Sequence, residues 1–236
     1  MVIEYDGTDF CGWQLQPVLR SVQGEIETAL QAILREKIRV TGAGRTDAGV
    51  HAEGQVAHFD VSDIPNGINW YKALNTVLPK DVVVREVSQA PSDFNARHSA
   101  KSRSYQYRIH LGNTALRRWY SWPVYSALDF SLLQDCSGLL LGKHDFTAFC
   151  SDEQRDQRES TVFEAGWGKK ENFLFFDITA SRFLRGMVRM LVGSMVEVAR
   201  GFMPWDTFRE LLHNPDGKKG GPLAPPLGLF LTRVEY

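Results

Sequence analysis

The stretch Gly42-Ala43-Gly44-Arg45-Thr46-Asp47-Ala48-Gly49-Val50-His51 decides how the fold of this chain is interpreted. It follows a short run that predicts a strand, Ile38–Val40, and precedes a segment of alternating polarity, Gln55–Val61. A dinucleotide-binding turn requires Gly-x-Gly-x-x-Gly at the start of a helix, whereas Asp47 takes the place of the third glycine and a strand follows. A P-loop requires Gly-Lys before Ser or Thr, which this stretch lacks. The stretch therefore predicts a glycine-rich loop between strands that does not bind a nucleotide.

Asp47 is the acidic residue of this loop. Its small neighbours Gly44, Ala48 and Gly49 would let a bulky substrate approach the backbone. An aspartate in such a loop suits nucleophilic or general-base chemistry, and a cation such as Arg45 would keep it ionised by lowering its pKa. The alternative is an Asx turn, in which Asp47 only accepts hydrogen bonds from its own backbone. Motif chemistry alone leaves both interpretations open.

The rest of the chain mixes helices and strands without regular β-α-β alternation. Helices are predicted after Ser21, over Ile68–Leu78, after Asp129, from Phe183 to an end at Gly201 and over Pro204–His213, and strands over Val82–Val84, Tyr105–His110, Thr161–Gly166, Phe173–Thr179 and Leu227–Tyr236. This order favours an α+β fold with a mainly antiparallel sheet flanked by helices. It also repeats loosely, which predicts two similar halves, residues 1–112 and 113–236.

The composition is that of an ordinary globular protein. The 236 residues carry 27 Lys and Arg against 28 Asp and Glu, so the net charge of −1 argues at first against a nucleic-acid partner. Three cysteines without paired spacing argue against a disulfide framework and a zinc site. There is no apolar run of about 18 residues and no signal-like start. A cytoplasmic protein without a membrane span is therefore expected.

Seven further blocks accompany the loop along nearly the whole chain. They are Ile3–Gln14, Gly54–Phe59, Phe94–Arg97, Arg103–Tyr107, His144–Phe149, Phe183–Arg189 and Ala224–Leu229. Together with Gly44–His51, they resemble in order and spacing the TruA family of tRNA pseudouridine synthases. The acidic stretch Ser151–Ser160 matches no block and is expected to be a surface loop.

The resemblance implies a fold, a substrate and a reaction. The fold is the pseudouridine synthase fold with a central RNA-binding cleft. The reaction isomerises uridine to pseudouridine at positions 38, 39 and 40 in the anticodon stem-loop of tRNA. The N1–C1′ bond breaks, the base turns, and C5 joins C1′. Because this rearrangement is redox-neutral and consumes no water, no metal, nucleotide or flavin cofactor is expected. Members of the family are typically homodimers, so a homodimer is expected here.

The resemblance also assigns roles to single residues. The catalytic carboxylate of the family maps to Asp47. Its active-site tyrosine maps to Tyr105, which would stack on the uracil and help to remove the C5 proton, the alternative being a core ring. Arg189 maps to an arginine expected to pair with the catalytic aspartate, the alternative being an exposed polar stripe. Arg45 would neutralise a phosphate or replace a flipped nucleotide, the alternative being a surface salt bridge.

Positive charge is concentrated in two segments that flank the active-site blocks. Residues 97–118 hold six Lys or Arg and no Asp or Glu, and residues 182–200 hold four Arg against one Glu. A charge run is usually only a solvated face, but these positions suggest RNA contacts. The candidate RNA-binding residues are Arg97, Lys101, Arg103, Arg108, Arg182 and Arg185.

Two other functions compete with this interpretation. A non-catalytic RNA-binding protein on the same scaffold would not need the Asp47 carboxylate. A glycoside-cleaving hydrolase needs two carboxylates flanking the bond. The loop supplies one carboxylate, and the nearest second candidate, Glu53, has no motif support.

Overall fold

The structure is a computed structural model, and it describes residues 1–61, 67–151, 158–215 and 219–236. In chain order the elements are β1 (Val2–Tyr5), α1 (Val22–Leu34), β2 (Thr41–Gly42), β3 (His51–His58), α2 (Trp70–Val77), β4 (Val82–Glu86), β5 (Ser102–Leu111), β6 (Trp122–Val124), α3 (Phe130–Gly138), β7 (Gly142–Asp145), β8 (Glu159–Lys170), β9 (Phe173–Ala180), α4 (Met187–Ala199), α5 (Trp205–His213) and β10 (Leu229–Glu235). Most of the acidic stretch expected as a surface loop, 152–157, lies outside the described residues.

The chain divides into two compact units. The first contains Met1–Lys101 and Phe230–Tyr236, and the second contains Ser102–Leu229. The sequence analysis divides the chain after residue 112 instead. The structural division falls earlier because β5 pairs along most of its length with β9 of the second unit, from Arg103 to His110. The last residues return to the first unit because Phe230 and Leu231 pair with the start of β3.

The first unit is built on the strand order β4-β1-β3-β10, with β2 beside β3. These pairs are antiparallel, except that β10 runs parallel to β3. Helix α1 begins where the Ser21 hydroxyl accepts a hydrogen bond from the Gly24 amide at 3.3 Å. Val22, Ile26 and Leu30, spaced four residues apart, are fully buried. This apolar stripe therefore packs helix α1 into the core of this unit.

The second unit is built on the strand order β5-β9-β8-β7. Neighbouring strands in this path are antiparallel, and β6 adds a short parallel pairing to β5. Helix α4 is buried along nearly its whole length. It begins at Met187, later than the predicted Phe183, because Gly186 adopts a left-handed conformation with φ of 72° that interrupts the helix.

The predicted α+β class with a mainly antiparallel sheet is confirmed by these pairings. The strand predicted at Ile38–Val40 is wrong, and the nearby strand β2 covers Thr41–Gly42 instead. Side chains of α1 take the backbone hydrogen bonds of Val40: its amide donates to the Glu27 carboxylate, and its carbonyl accepts from the Gln23 amide. The backbone of Val40 therefore bonds to side chains of α1 and not to a neighbouring strand.

Candidate active site

The signature loop connects β2 to β3 in the first unit. Asp47 is half-buried in it, Thr46 is buried, and Arg45 and Ala48 are exposed. The loop turns back at Gly49, whose φ of 74° is in the region that favours glycine. The Val50 amide donates to the Asp47 carbonyl at 3.2 Å across this turn. Arg45 and Asp47 thus lie on one short, tightly turned segment.

The opening segment of the chain holds this loop on both sides of Asp47. The Tyr5 and Thr46 hydroxyls share a buried hydrogen bond of 2.7 Å. The Trp13 amide donates to the Thr46 carbonyl at 3.1 Å, and the Gly49 amide donates to the Phe10 carbonyl at 3.2 Å. The Ile3–Gln14 block therefore serves as a frame that fixes the loop carrying Asp47.

Two glycines of this frame have no room for a side chain. Gly12 has a φ of 95°, and a Cβ there would lie 2.6 Å from the Thr46 carbonyl oxygen. A Cβ on Gly7 would lie 2.0 Å from the carbonyl oxygen of Val50. Both distances are far below van der Waals contact, so the glycines let the frame approach the loop backbone.

The strand after the loop adds further anchors. The Gln55 side chain donates to the Gly44 carbonyl at 3.0 Å. The buried His51 ring stacks on Phe230 with centroids 4.6 Å apart, and its Nδ1 accepts from the Gly7 amide at 3.0 Å. The sequence analysis missed His51 and Gln55 as supports, although both lie in quoted motif blocks. Their burial as polar residues in β3 is a tertiary property that the sequence pattern does not reveal.

The Tyr5 hydroxyl is held in its protonated form. Complete burial raises the pKa of Tyr5 to about 12, while hydrogen bonds from Thr46 and Gln55 act in the opposite direction. The sequence analysis missed Tyr5 as well, because an apolar-patterned strand makes a buried tyrosine look like ordinary core. Near neutral pH, Tyr5 therefore acts as a stable hydrogen-bonding partner of the loop.

Tyr105 lies on β5 in the second unit. It is 8% exposed, and its ring meets Phe183 edge to face with centroids 5.0 Å apart. Tyr107 is fully buried and donates to the Pro225 carbonyl at 2.7 Å. Burial raises the pKa of Tyr107 well above its ordinary value, and the positive charge of Arg189 acts in the opposite direction. The two tyrosines therefore share one face of the strand, because side chains two residues apart in a strand point the same way.

Arg189 lies in the first turn of α4 and is half-buried. Its Nε donates to the Ala224 carbonyl at 2.8 Å, and the Ala224 amide donates back to the Arg189 carbonyl at 3.0 Å. These two hydrogen bonds therefore attach the start of α4 to the loop before β10. That loop contains the Ala224–Leu229 block. Arg189 is in the same unit as Tyr105.

The candidate RNA-binding residues divide between the two units. Arg97 and Lys101 are exposed in the first unit. In the second unit Arg185 is exposed and Arg103, Arg108 and Arg182 are half-buried. Arg103 donates to the Ser181 carbonyl at 3.0 Å, and Arg108 donates to the Gln106 side chain at 2.8 Å.

Cavity size does not point to these residues. A groove of about 680 Å³ lies beside α1 and the segment 37–39, and none of the predicted site residues lines it. Its lining mixes both signs of charge, including Glu25, Glu27, Lys37 and Arg39. In the described ranges, no three His, Cys, Asp or Glu side chains are grouped so that they could hold a metal ion. No helix within those ranges is long and apolar enough to cross a membrane.

Comparisons with known proteins agree on one family. A family model described as tRNA pseudouridine synthase matches residues 1–99 and 137–236. The chain is 43% identical to "tRNA pseudouridine synthase A" of Geobacillus kaustophilus, over 100% of this chain and 93% of that protein. It is 40% identical to the protein of the same name from Maridesulfovibrio salexigens, over 100% of this chain and 89% of that protein.

A solved structure, "Crystal Structure of a Cbf5-Nop10-Gar1 Complex", is a more distant match. The identity is 10% and the TM-score is 0.39. The match covers 99% of this chain, which spans 47% of that chain.

Proposed function

The chain belongs to the tRNA pseudouridine synthase family, and from this premise we propose that it acts at positions 38, 39 and 40 of the anticodon stem-loop. It is an isomerase that converts uridine to pseudouridine in tRNA. The observation that carries the catalytic assignment of Asp47 is the framed loop: the hydrogen bonds of Thr46 and Gly49 fix the backbone on both sides of Asp47.

Asp47 is the proposed catalytic carboxylate. The reaction exchanges the N1–C1′ bond of the nucleotide for a C5–C1′ bond, the C5 proton is lost, and N1 gains a proton. A carboxylate can act in such a sequence as a nucleophile, either at C1′ of the ribose or at C6 of the base. A fixed loop lowers the cost of aligning the carboxylate with the reacting atom.

Tyr105, Arg189 and Arg45 are the proposed substrate-binding residues. The Tyr105 ring provides a stacking surface for the extruded uracil, and its hydroxyl assists removal of the C5 proton. Arg189 supplies the positive charge that is proposed to pair with the catalytic carboxylate. Arg45, exposed on the Asp47 loop, contacts a phosphate or fills the space of the flipped nucleotide.

The tRNA is held mainly through its backbone. Arg97, Lys101, Arg103, Arg108, Arg182 and Arg185 are the proposed contacts. Extruding a stacked uridine costs a few kcal/mol, and phosphate contacts by such cations offset that cost with little reading of the bases.

The enzyme is further proposed to work without a cofactor, as a homodimer, in the cytoplasm. None of the three cysteines, all within the described ranges, forms a disulfide, which is compatible with a reducing compartment. Sedimentation velocity with and without tRNA tests the dimer, and a monomer under both conditions would contradict it.

Pseudouridine mapping tests the proposed function. The purified chain is incubated with unmodified tRNA and no added cofactor, and every uridine is then mapped. The expected result is pseudouridine at positions 38 to 40 of those tRNAs that carry uridine there. Modification outside the anticodon arm would contradict the proposed positions, and release of free uracil would instead indicate glycoside cleavage.

A further inference from the structure

A turn of exposed basic and aromatic side chains follows β5 in the second unit. Every residue from Ala115 to Tyr120 is exposed, including Arg117 and Arg118. Leu116 is 88% exposed, Trp119 49% and Tyr120 38%. So many large apolar side chains on one exposed turn, beside two arginines, are unusual for a surface without a partner. We refer to residues 115–120 as the Arg–Trp turn.

The Arg–Trp turn has a defined shape. Its backbone is held by the Thr114 hydroxyl, which accepts from the Arg117 amide at 3.1 Å, and by the Arg117 carbonyl, which accepts from the Ser121 hydroxyl at 2.9 Å and the Tyr120 amide at 3.0 Å. The Arg118 guanidinium lies 5.3 Å from the centroid of the Trp119 ring. A partner that binds this turn therefore meets side chains that are already partly ordered, which lowers the entropic cost of binding.

More positive charge lies at the same end of the sheet. Lys170 is opposite Phe173 in the β8–β9 pairing, and Phe173 is opposite His110 at the end of β5. Lys169 and Lys170 are both exposed at this hairpin tip. The acidic residue of the tip is Glu171, and the segment 94–128 contains no Asp or Glu at all. Positive charge therefore predominates at this end of the sheet.

We propose that the Arg–Trp turn and the Lys169–Lys170 tip form a second contact surface for tRNA, away from the target uridine. This inference rests on the proposed function. Arginine and lysine bind phosphates, and exposed aromatic rings stack on bases or sugars. A two-fold interface with a second copy would bring this positive surface against itself, so the charge favours RNA.

The position of the surface indicates which part of the RNA it contacts. Leu111 ends β5 six residues beyond Tyr105, and a strand rises about 3.3 Å per residue, which separates them by about 20 Å. An RNA duplex is A-form and rises less per base pair than the ~3.4 Å of B-DNA, so that distance spans at least about six base pairs. If the target uridine lies at Tyr105, the surface meets RNA at or beyond the far end of the anticodon stem.

Binding of full-length tRNA by the double variant Arg117→Ala, Arg118→Ala tests this surface. The dissociation constant is measured at several salt concentrations. We expect binding to weaken about tenfold, and the slope of log affinity against log salt to shrink by about two, one for each lost phosphate contact. Trp119→Ala weakens binding several-fold, and Trp119→Phe restores it. The matched control is Arg209→Ala, because Arg209 also lies beside a tryptophan, 5.0 Å from the Trp205 ring, but pairs with Asp206.

A second RNA separates this inference from the proposed function. On a hairpin containing only the anticodon stem-loop, the double variant should bind and form pseudouridine as the wild type does. If the proposed function is wrong, the wild type itself forms no pseudouridine at positions 38 to 40. An unchanged affinity for full-length tRNA, an equal loss on both RNAs, or conversion of a dimer to a monomer would overturn the inference. If the double variant melts at a lower temperature, Lys169→Ala with Lys170→Ala provides the same test at the hairpin tip.

Discussion

The loop backbone on both sides of Asp47 is held by hydrogen bonds to the opening segment of the chain. Thr46 is bonded to Tyr5 through its side chain and to Trp13 through its carbonyl, and Gly49 is bonded to Phe10. Residues that never touch the substrate are therefore expected to affect the rate of catalysis. Tyr5 is the clearest of these, because its hydroxyl is fully buried against the loop.

Tyr5→Phe should lower kcat several-fold and leave KM for tRNA nearly unchanged. The variant keeps the ring but removes the hydrogen bond to Thr46, so the loop loses a constraint while the RNA-binding surface is intact. The lost bond should also reduce the free energy of unfolding by about 1 kcal/mol. Steady-state kinetics and denaturant unfolding measure the two effects.

Tyr236→Phe is the matched control, because the Tyr236 hydroxyl donates to the Ala96 carbonyl at 2.8 Å in the same unit. It should lower stability by a similar amount and leave kcat unchanged. A wild-type kcat in Tyr5→Phe, or an equal loss of kcat in the control, would show that Tyr5 does not position the loop.

The raised pKa of Tyr5 predicts a dependence of stability on alkaline pH. Because the folded pKa of about 12 exceeds the ordinary value of 10, the unfolded state loses its proton first as pH rises. Stability should therefore be intact below pH 10 and fall between pH 10 and 12, by up to about 1.4 kcal/mol per pH unit for this group. Unfolding of wild type and Tyr5→Phe is compared across this range. A parallel decline in both proteins would contradict the assignment.

At the scale of elements, the frame depends on a close approach between the opening segment and the loop. Gly12→Ala would add a methyl group 2.6 Å from the Thr46 carbonyl oxygen, at a φ of 95°. We expect it to destabilise the protein by about 2 kcal/mol and to lower kcat, because the loop must shift. Thermal unfolding and kinetics measure this.

Gly138→Ala is the control for that substitution. It ends helix α3, has no heavy atom within 4 Å of an added Cβ, and is not among the residues of positive φ. It should be neutral or slightly stabilising, since alanine suits a helix better than glycine. If Gly12→Ala is tolerated equally well, the frame is looser than the distances indicate.

Elements with a local signal were predictable from the sequence, and those determined by tertiary contacts were not. The cap at Asp129, the stripe of α1 and the alternation of β5 each depend on residues within a few positions of one another. The error at Ile38–Val40 arose because Gln23 and Glu27 bind the backbone of Val40 from a helix 13 or more residues earlier in the chain. The Asp47 loop was identified from its motif, but its support by Tyr5, Gln55 and His51 was not, because hydrogen bonds between distant segments leave no periodic pattern.

At the scale of the whole molecule, the net charge of −1 hides an uneven distribution. Residues 97–118 and 182–200 together carry an excess of nine positive charges, so the rest of the chain is acidic. The first impression that a neutral chain avoids nucleic acid was therefore wrong, because RNA contacts depend on local charge.

The affinity for tRNA should consequently fall steeply with salt. Each phosphate neutralised by Lys or Arg contributes about 0.7 to 0.9 to the slope of log affinity against log salt. Filter binding between low and physiological salt measures the slope. An affinity that does not change with salt would mean that these cations do not hold the RNA.

The central claim is that Asp47 carries the isomerisation of uridine at positions 38 to 40, and Asp47→Asn tests it most directly. The variant is incubated with unmodified tRNA beside wild type and the exposed control Asp93→Asn, and pseudouridine is mapped while tRNA affinity is measured. Asp47→Asn should bind tRNA within about twofold of wild type and form pseudouridine at least ~10³-fold more slowly, with the control unaffected. Pseudouridine formed by Asp47→Asn at a rate near that of the wild type would contradict the account.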